Sequence, residues 1–422
     1  SSFELVITEL CFHSSTHSDQ EQAALKRMTS GKLGAEIEPG DEMMDYSQHI
    51  LKFKQALDGR ADLAFLPISA DLQYLAGVNR EMPTFGAIRH PGGWVEGLWL
   101  APDADPLLIL TRMTAEFNNP GGEVQVRVLG EFEDPASLLK EVAETLKLAE
   151  VKTAAMGDKT SGETFIQVQS VFPGVEFVSA SELLAPQRMI KSDEELELMR
   201  QAGRITEAAF GAAVKRMRHG MTELDVIQEV DYQLRAWGGF GPSFNTTLYV
   251  VGPEHELLFS QQEVTWPRVL TPPVSILFDM GAVYEGYCYD YGRTVFFGEP
   301  DKGVKLAHRL VMESQAAGMA AMRAGSATAE DADRAARAVI EKAGMGETFR
   351  HRLGHGIGLD VHEPPFLTEG DQSALQEGML FTVEPSVLVS FAGSARVEDV
   401  VLVGEDGGVP LTSGYRGLIV VS

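Results

Sequence analysis

Four carboxylates and one imidazole stand out for the chemistry they could share: Asp279, Asp290, His355, Glu384 and Glu398. Asp279 and Asp290 bound the stretch DMGAVYEGYCYD, eleven positions apart. A turn centred on Tyr284 and Glu285, with Gly286 at positive φ, pairs the flanking strands so that the two aspartates face each other. Carboxylates that close need a shared proton or a cation between them. A charged solvent face on an ordinary hairpin is the plain alternative. His355 sits in HRLGHGIGLDVHEPP, which holds three histidines (His351, His355, His362) among Gly354, Gly356 and Gly358. Those glycines let the backbone approach another group closely. Glu384 in MLFTVEPSV alternates onto a strand face in an otherwise apolar run, where a carboxylate without a partner or a metal is costly. Glu398 in ARVEDVVLV shares a strand face with Arg396, so a simple ion pair between those two is the alternative there.

One histidine and four carboxylates form the ligand set of a hard-to-borderline dinuclear site. Such donors suit Mn²⁺ best, with Co²⁺, Fe²⁺ or Zn²⁺ as alternatives. Two cations would cancel the carboxylate repulsion, acidify a water and polarise a carbonyl, and the implied reaction is metal-assisted hydrolysis.

Positioning these residues takes a large scaffold, and 422 residues predict two domains, at 1–185 and 186–422. From Tyr46, the helical stretches SQHILKFKQAL and SLLKEVAETLKLAE interleave with the apolar runs ADLAFLP, EGLWLAP, PLLILT, VQVRVL and VEFVSA. That alternation predicts an α/β domain ending near Leu184, joined to the second domain through Pro186–Lys191. Ser192 opens a long amphipathic helix through a capping box with Glu195, reaching to Gly220, and Thr222 caps a second helix to about Trp237. The string MRHGMTELD at Met217 echoes MRAGSATAED at Met322. The echo predicts a duplicated helix-helix-sheet unit whose halves deliver the Asp279 hairpin and the His351–Val403 segment.

A formal charge of −26, from 35 basic and 61 acidic residues, argues against nucleic acid or an anionic membrane as partner. Cys11 and Cys288 are too few for a disulfide framework, which fits a reducing compartment. No apolar run reaches the roughly 18 residues of a membrane span, and the first 30 residues lack the order of a signal peptide. A cytoplasmic enzyme is the expectation.

The segments DMGAVYEGYCYDYGRT, GHGIGLDVHEPP, GMLFTVEPSV and RVEDVVLV, with IKSDEELELMRQAGRITEAAF ahead of them, resemble the pita-bread metallopeptidases. That group holds Xaa-Pro aminopeptidases, prolidases, methionine aminopeptidases and the metal-free creatinase. The resemblance covers roughly residues 186 to 415, and the α/β region before it is similar to the creatinase-type N-terminal domain. It implies an α+β pita-bread catalytic domain with two divalent metal ions, Asp279 chelating one, Asp290 and Glu398 bridging, and His355 and Glu384 holding the second. It further implies Glu384 as base, His362 and His351 touching substrate or moving protons, and Arg396 close to the bridging carboxylate. A proline-containing peptide would be the substrate of an Xaa-Pro dipeptidase or aminopeptidase, and a homodimer the assembly. One departure stands out. Relatives usually carry a further histidine upstream of the first aspartate, whereas this chain reads VGPEHELLFSQQEVTWP, with the position near Phe259 to Gln262 and only His255 nearby. A non-peptidase C–N hydrolase or lyase on the same fold is therefore the second reading. The first 40 residues are the candidate for restricting peptide length.

Overall fold

The computed structural model describes residues 44–80, 90–390 and 393–421. Cys11 and the first 40 residues, with their suggested part in peptide length, lie outside the described residues. The chain divides into two compact units, Gly40–Arg188 and a second that begins at Met189.

In the first unit, helices α1 (Tyr46–Leu57), α2 (Ala70–Ala76), α3 (Arg112–Phe117), α4 (Pro135–Thr145), α5 (Gly162–Val171) and α6 (Ala180–Met189) alternate with strands. The strands are β1 (Leu63–Pro67), β2 (Gly97–Leu100), β3 (Leu107–Thr111), β4 (Gln125–Leu129), β5 (Thr153–Met156) and β6 (Glu176–Ser179). They form one mixed sheet in the order β4-β3-β2-β1-β5-β6. Side-chain caps start several helices: Asp45, Ser69, Asp134 and Ser161 each accept from a backbone N–H of the first turn. The inner strands are continuous apolar runs because both of their faces are buried. Strand β5, TAAM, is too short and small-chained to stand out in the sequence, and α6 runs through Pro186 rather than stopping before it.

The second unit is built twice over. Helix α7 (Asp193–Arg216) starts at the Ser192–Glu195 capping box, and α8 (Glu223–Ala236) at a box between Thr222 and Asp225. Helix α7 ends at Arg216, short of Gly220, because Met217 leaves helical geometry to bury its side chain. After a short α9 (Gln262–Thr265), the pattern returns with α10 (Lys302–Ala321) and α11 (Ala329–Lys342), the latter opened by a box between Thr328 and Asp331. Thr222 bridges to Val269 and Thr328 to Ala374, so the repeated sequence string marks a repeated structure.

Two sheets carry the site. In the first half, β8 (Thr247–Val251), β9 (Val274–Met280) and β12 (Tyr291–Phe297) join β20 (Ile419–Val421) in the order β20-β12-β9-β8. A small sheet of β7 (Gly241–Pro242), β10 (Ala282–Tyr284) and β11 (Tyr287–Cys288) extends it. In the second half, β13 (Gly354–Gly356), β14 (Glu363–Leu367), β15 (Leu380–Val383), β18 (Asp399–Leu402) and β19 (Val409–Pro410) run in the order β14-β13-β15-β18-β19. Strands β16 (Ser386–Val387) and β17 (Ala395–Arg396) pair beside them.

The hairpin differs from its sequence reading by one residue. Tyr284 pairs with Tyr287, so the turn is Glu285–Gly286, both at positive φ (47° and 84°), a two-residue loop matched to the strand twist. Moving the turn centre by one residue moves every pair by two, so Asp279 pairs with Gly292 rather than with Asp290. The shift preserves parity, and the two aspartates stay on one face as diagonal neighbours.

Candidate metal centre

Asp279 is held near the end of β9, and Asp290 follows β11 just before β12. Gly281 permits the crossing there, since a Cβ would lie 1.7 Å from the Tyr289 carbonyl oxygen. From the second half, His355 is the middle residue of β13, and Gly354 lets that strand ride against Thr382, whose carbonyl oxygen a Cβ would meet at 1.8 Å. Glu384 stands one residue beyond β15 rather than on the strand. Glu398 is not inside a continuous strand either. It occupies the break between β17 and β18, bridged to Gly292, which has no Cβ to collide with the Glu398 side chain. Arg396 donates to Asp279 Oδ2 at 2.6 Å and reaches Glu384 at 3.9 Å, so its partner is Asp279 and not Glu398.

The two halves bring their donors together. Asp290, His355 and Glu398 each offer a ligand atom, all within 4.8 Å of one another. His355 Nε2 lies 3.6 Å from Asp290 Oδ2 and 3.6 Å from Glu384 Oε1. That is about the separation of two donors on one ion with bonds of about 2.1 Å. His355 Nδ1 donates to the Gly356 carbonyl at 3.0 Å, which leaves the Nε2 lone pair facing the carboxylates. Buried atoms Asp290 Oδ1 and Glu398 Oε2 have no hydrogen-bond partner among the described residues. The donor set therefore fits a cation: buried carboxylates with unpartnered oxygens and an imidazole with its lone pair inward.

Electrostatics agree with that fit. Burial, then the charges of Asp279 and Glu384, push Asp290 well above the usual carboxylate range. Burial, then Asp290 and Glu384, do the same to Glu398. Burial raises Glu384 to about 7 against the pull of Arg396. Burial and the neighbouring His362 lower His355 to about 3, so its ring is neutral and able to ligate. Burial would lower Arg396, but Asp279, Glu384 and Glu398 outweigh it and hold the guanidinium charged.

The remaining candidates lie around this cluster. The His362 ring sits 4.2 Å from that of His355, and its neighbour Glu363 is fixed by Lys191 at 3.2 Å. His351 donates from Nδ1 to the Arg352 carbonyl at 2.7 Å and accepts at Nε2 from the Ser386 hydroxyl at 3.0 Å. Burial, then Arg396, lower its pKa to about 4. Ser386 also accepts from Arg396 Nε at 2.9 Å, so it links His351 to the Arg396–Asp279 pair. Sequence reasoning passed over Ser386; its place two residues after Glu384 was the available signal. It also passed over Tyr249, whose ring lies 5.3 Å from the Arg396 guanidinium carbon. His255 is turned away, with Nε2 bonded to the Val269 carbonyl at 3.0 Å, and Phe259 packs against Tyr249 at 5.5 Å.

Two sheets thus gather buried carboxylates and an inward-facing histidine into a site that fits a metal ion, and the matches below make the chain a metal-dependent hydrolase. Residues 197–405 match the model of metallopeptidase family M24, and residues 50–190 that of the creatinase/prolidase N-terminal domain. The chain is 30% identical over 357 residues to the Xaa-Pro dipeptidase of Lactobacillus delbrueckii subsp. lactis, covering 83% of this chain and 95% of that one. It is 32% identical over 244 residues to the Xaa-Pro dipeptidase of Pyrococcus furiosus, covering 58% and 69%. Among solved structures, a dipeptidase from Pyrococcus horikoshii OT3 superposes with a TM-score of 0.75 at 29% identity, over 88% of this chain and 100% of that one. The protein belongs to metallopeptidase family M24, with a creatinase-type N-terminal domain and the pita-bread fold.

Proposed function

We propose that the protein is a dinuclear-metal exopeptidase that hydrolyses the peptide bond preceding proline, as an Xaa-Pro dipeptidase or aminopeptidase. Asp279, Asp290, His355, Glu384 and Glu398 are the proposed ligands of two divalent ions, with Mn²⁺ favoured by the oxygen-rich set. The observation that carries this is the buried trio Asp290, His355 and Glu398, with two carboxylate oxygens that no group among the described residues satisfies. The proline preference is drawn from the relatives named Xaa-Pro dipeptidase. Residues 1–185 are proposed as the creatinase-like domain and 186–422 as the catalytic domain.

When bound, the ions would neutralise the carboxylates, acidify a water and polarise the scissile carbonyl. Glu384 then takes the proton of the attacking water and delivers it to the departing nitrogen. His362, which burial keeps neutral, presents an N–H to the developing oxyanion. His351 and Ser386 hold Arg396 against Asp279, which keeps that carboxylate aimed. A cytoplasmic homodimer completes the proposal, supported by the cysteine count and by the family resemblance. No helix among the described residues is long and apolar enough to cross a membrane.

Elemental analysis, together with mass spectrometry of Xaa-Pro and Xaa-Pro-Xaa digests, tests the reading. Two bound metals per chain and release of free proline or of the N-terminal residue are expected. Failure to bind metal would overturn it. A metal-loaded protein inert on every proline peptide would transfer the site to a non-peptide substrate.

A further inference from the structure

Strand β8 runs antiparallel to β9, with Thr247 opposite Asp279 and Tyr249 opposite Leu277. Positions two apart share a face, so Tyr249 projects on the same side of the sheet as Asp279. Its phenol lies close enough to the cluster for the charges of Asp279, Arg396, Glu384 and Glu398 to act on it. The Arg396 guanidinium carbon stands 5.3 Å from the ring centroid on one side, and the Phe259 ring lies 5.5 Å away on another. The ring is thus packed in place. Yet no group among the described residues hydrogen-bonds to its hydroxyl, although three carboxylates, Asp279, Glu384 and Glu398, lie near enough to act on it. Phe259 remains 45% exposed, an apolar ring beside a charged centre with little else to cover it. Tyr249 and Phe259 also border a cavity of about 110 Å³ with Gln261, Gln262 and Trp266.

We propose that Tyr249 and Phe259 form a substrate subsite beside the metal centre, in which the Tyr249 hydroxyl donates a hydrogen bond to a peptide oxygen and the two rings receive an apolar residue. Resting on the reading of the carboxylate cluster as the reaction centre, it assigns to this chain the groups that grip the substrate. A phenol held by packing loses little freedom on binding and is a donor at neutral pH. An aromatic pair with one exposed ring suits a compact apolar unit such as a pyrrolidine ring, which presents flat C–H faces to π-surfaces. The subsite thus contributes to choice of residue, whereas the metals contribute to the hydrolysis itself.

The test uses the full chain, with Leu-Pro and Leu-Ala as probes. Tyr249→Phe keeps the ring and its packing while removing the donor. It should weaken the calorimetric dissociation constant of Leu-Pro for the metal-free protein by about tenfold, and lower kcat/KM of the Mn²⁺-loaded enzyme by a similar factor, with unchanged metal stoichiometry. Phe259→Ala should reduce the preference for Leu-Pro over Leu-Ala by about tenfold. If the wild type cleaves Leu-Pro and Tyr249→Phe stays within about twofold in both measurements, this inference falls and the reading of the metal centre survives. Leu-Pro that fails to bind the metal-free wild type likewise overturns the subsite. A wild type inert on both peptides overturns the peptidase reading, and the subsite with it.

Discussion

Glu398 and Asp399 are consecutive and both fully buried, but they serve opposite regions of the catalytic unit. Asp399 accepts from Arg293 at 2.7 Å, from Arg416 at 2.7 Å and from Gln315 at 3.0 Å. Burial would raise its pKa, but the two guanidinium groups outweigh it and leave the carboxylate lowered and ionised. Glu398 beside it has an oxygen with no hydrogen-bond partner among the described residues and faces further carboxylates. Adjacent residues thus carry a carboxylate satisfied by protein cations and another with an oxygen that is unpartnered among the described residues. The first holds the sheets together, and the second is what a metal site demands.

The largest effects should separate these two neighbours. Glu398→Gln keeps the shape and removes a buried charge, so the metal-free protein should melt no lower than the wild type while peptide hydrolysis falls by about 10³-fold. Asp399→Ala strands two arginines without their partner and should cost about 3–5 kcal/mol. That corresponds to a melting temperature lower by about 10 °C, read by calorimetry. A Glu398→Gln protein that unfolds like Asp399→Ala would break the comparison.

A smaller effect, of opposite sign in the two regions, appears with pH. Glu384 has its pKa raised to about 7 by burial, and Asp290 and Glu398 are raised as well. A raised carboxylate contributes stability below its unfolded pKa of about 4.3, and that contribution is lost as pH rises through the folded value. The metal-free protein should therefore melt several degrees lower at pH 8 than at pH 5, and Glu384→Gln should flatten the slope. Asp399 is lowered, so its contribution is complete above pH about 4 and is lost only in stronger acid. Restoring Mn²⁺ should remove the neutral-range slope without touching the acid limb. A metal-free protein that instead gains stability from pH 5 to 8 would contradict the repulsion assigned to the cluster.

How much of the molecule is legible in its sequence depends on whether a contact is local. The Ser192–Glu195 box joins residues three apart and the sequence alone announces it, as it does Thr222 as a helix cap. The residues of the candidate metal centre draw notice in the sequence because carboxylates amid apolar strand sequence and a histidine among glycines are anomalies that need a reason. The hairpin pairing is misplaced by one turn position, but strand parity depends only on alternation, so the shared face of Asp279 and Asp290 is unaffected. Long-range partners are not legible. Arg396 has Glu398 two residues away, yet binds Asp279 across 117 positions. The Arg293–Asp399 pair spans 106 positions and shows no sequence signal. The Tyr249 ring becomes visible only once β8 is placed beside β9.

The finest test asks whether the satisfied region needs both of its cations. Arg293 is 1% exposed at its side chain, and besides Asp399 it donates to the carbonyl oxygens of Gly292, Glu398 and Tyr415. Arg416 is 25% exposed at its side chain and, toward Asp399, donates through Nε alone. Water can replace much of what the second arginine supplies, whereas nothing reaches the first. Arg416→Ala should therefore cost only about 1 kcal/mol, a shift of about 3 °C in melting temperature, with metal content and hydrolysis unchanged. A loss as large as that of Asp399→Ala would mean that the carboxylate is held by the pair acting together, and that one buried guanidinium is not enough to keep it ionised. In that case the contrast with Glu398 would narrow, because Asp399 would also depend on a cation supplied from the edge of the fold.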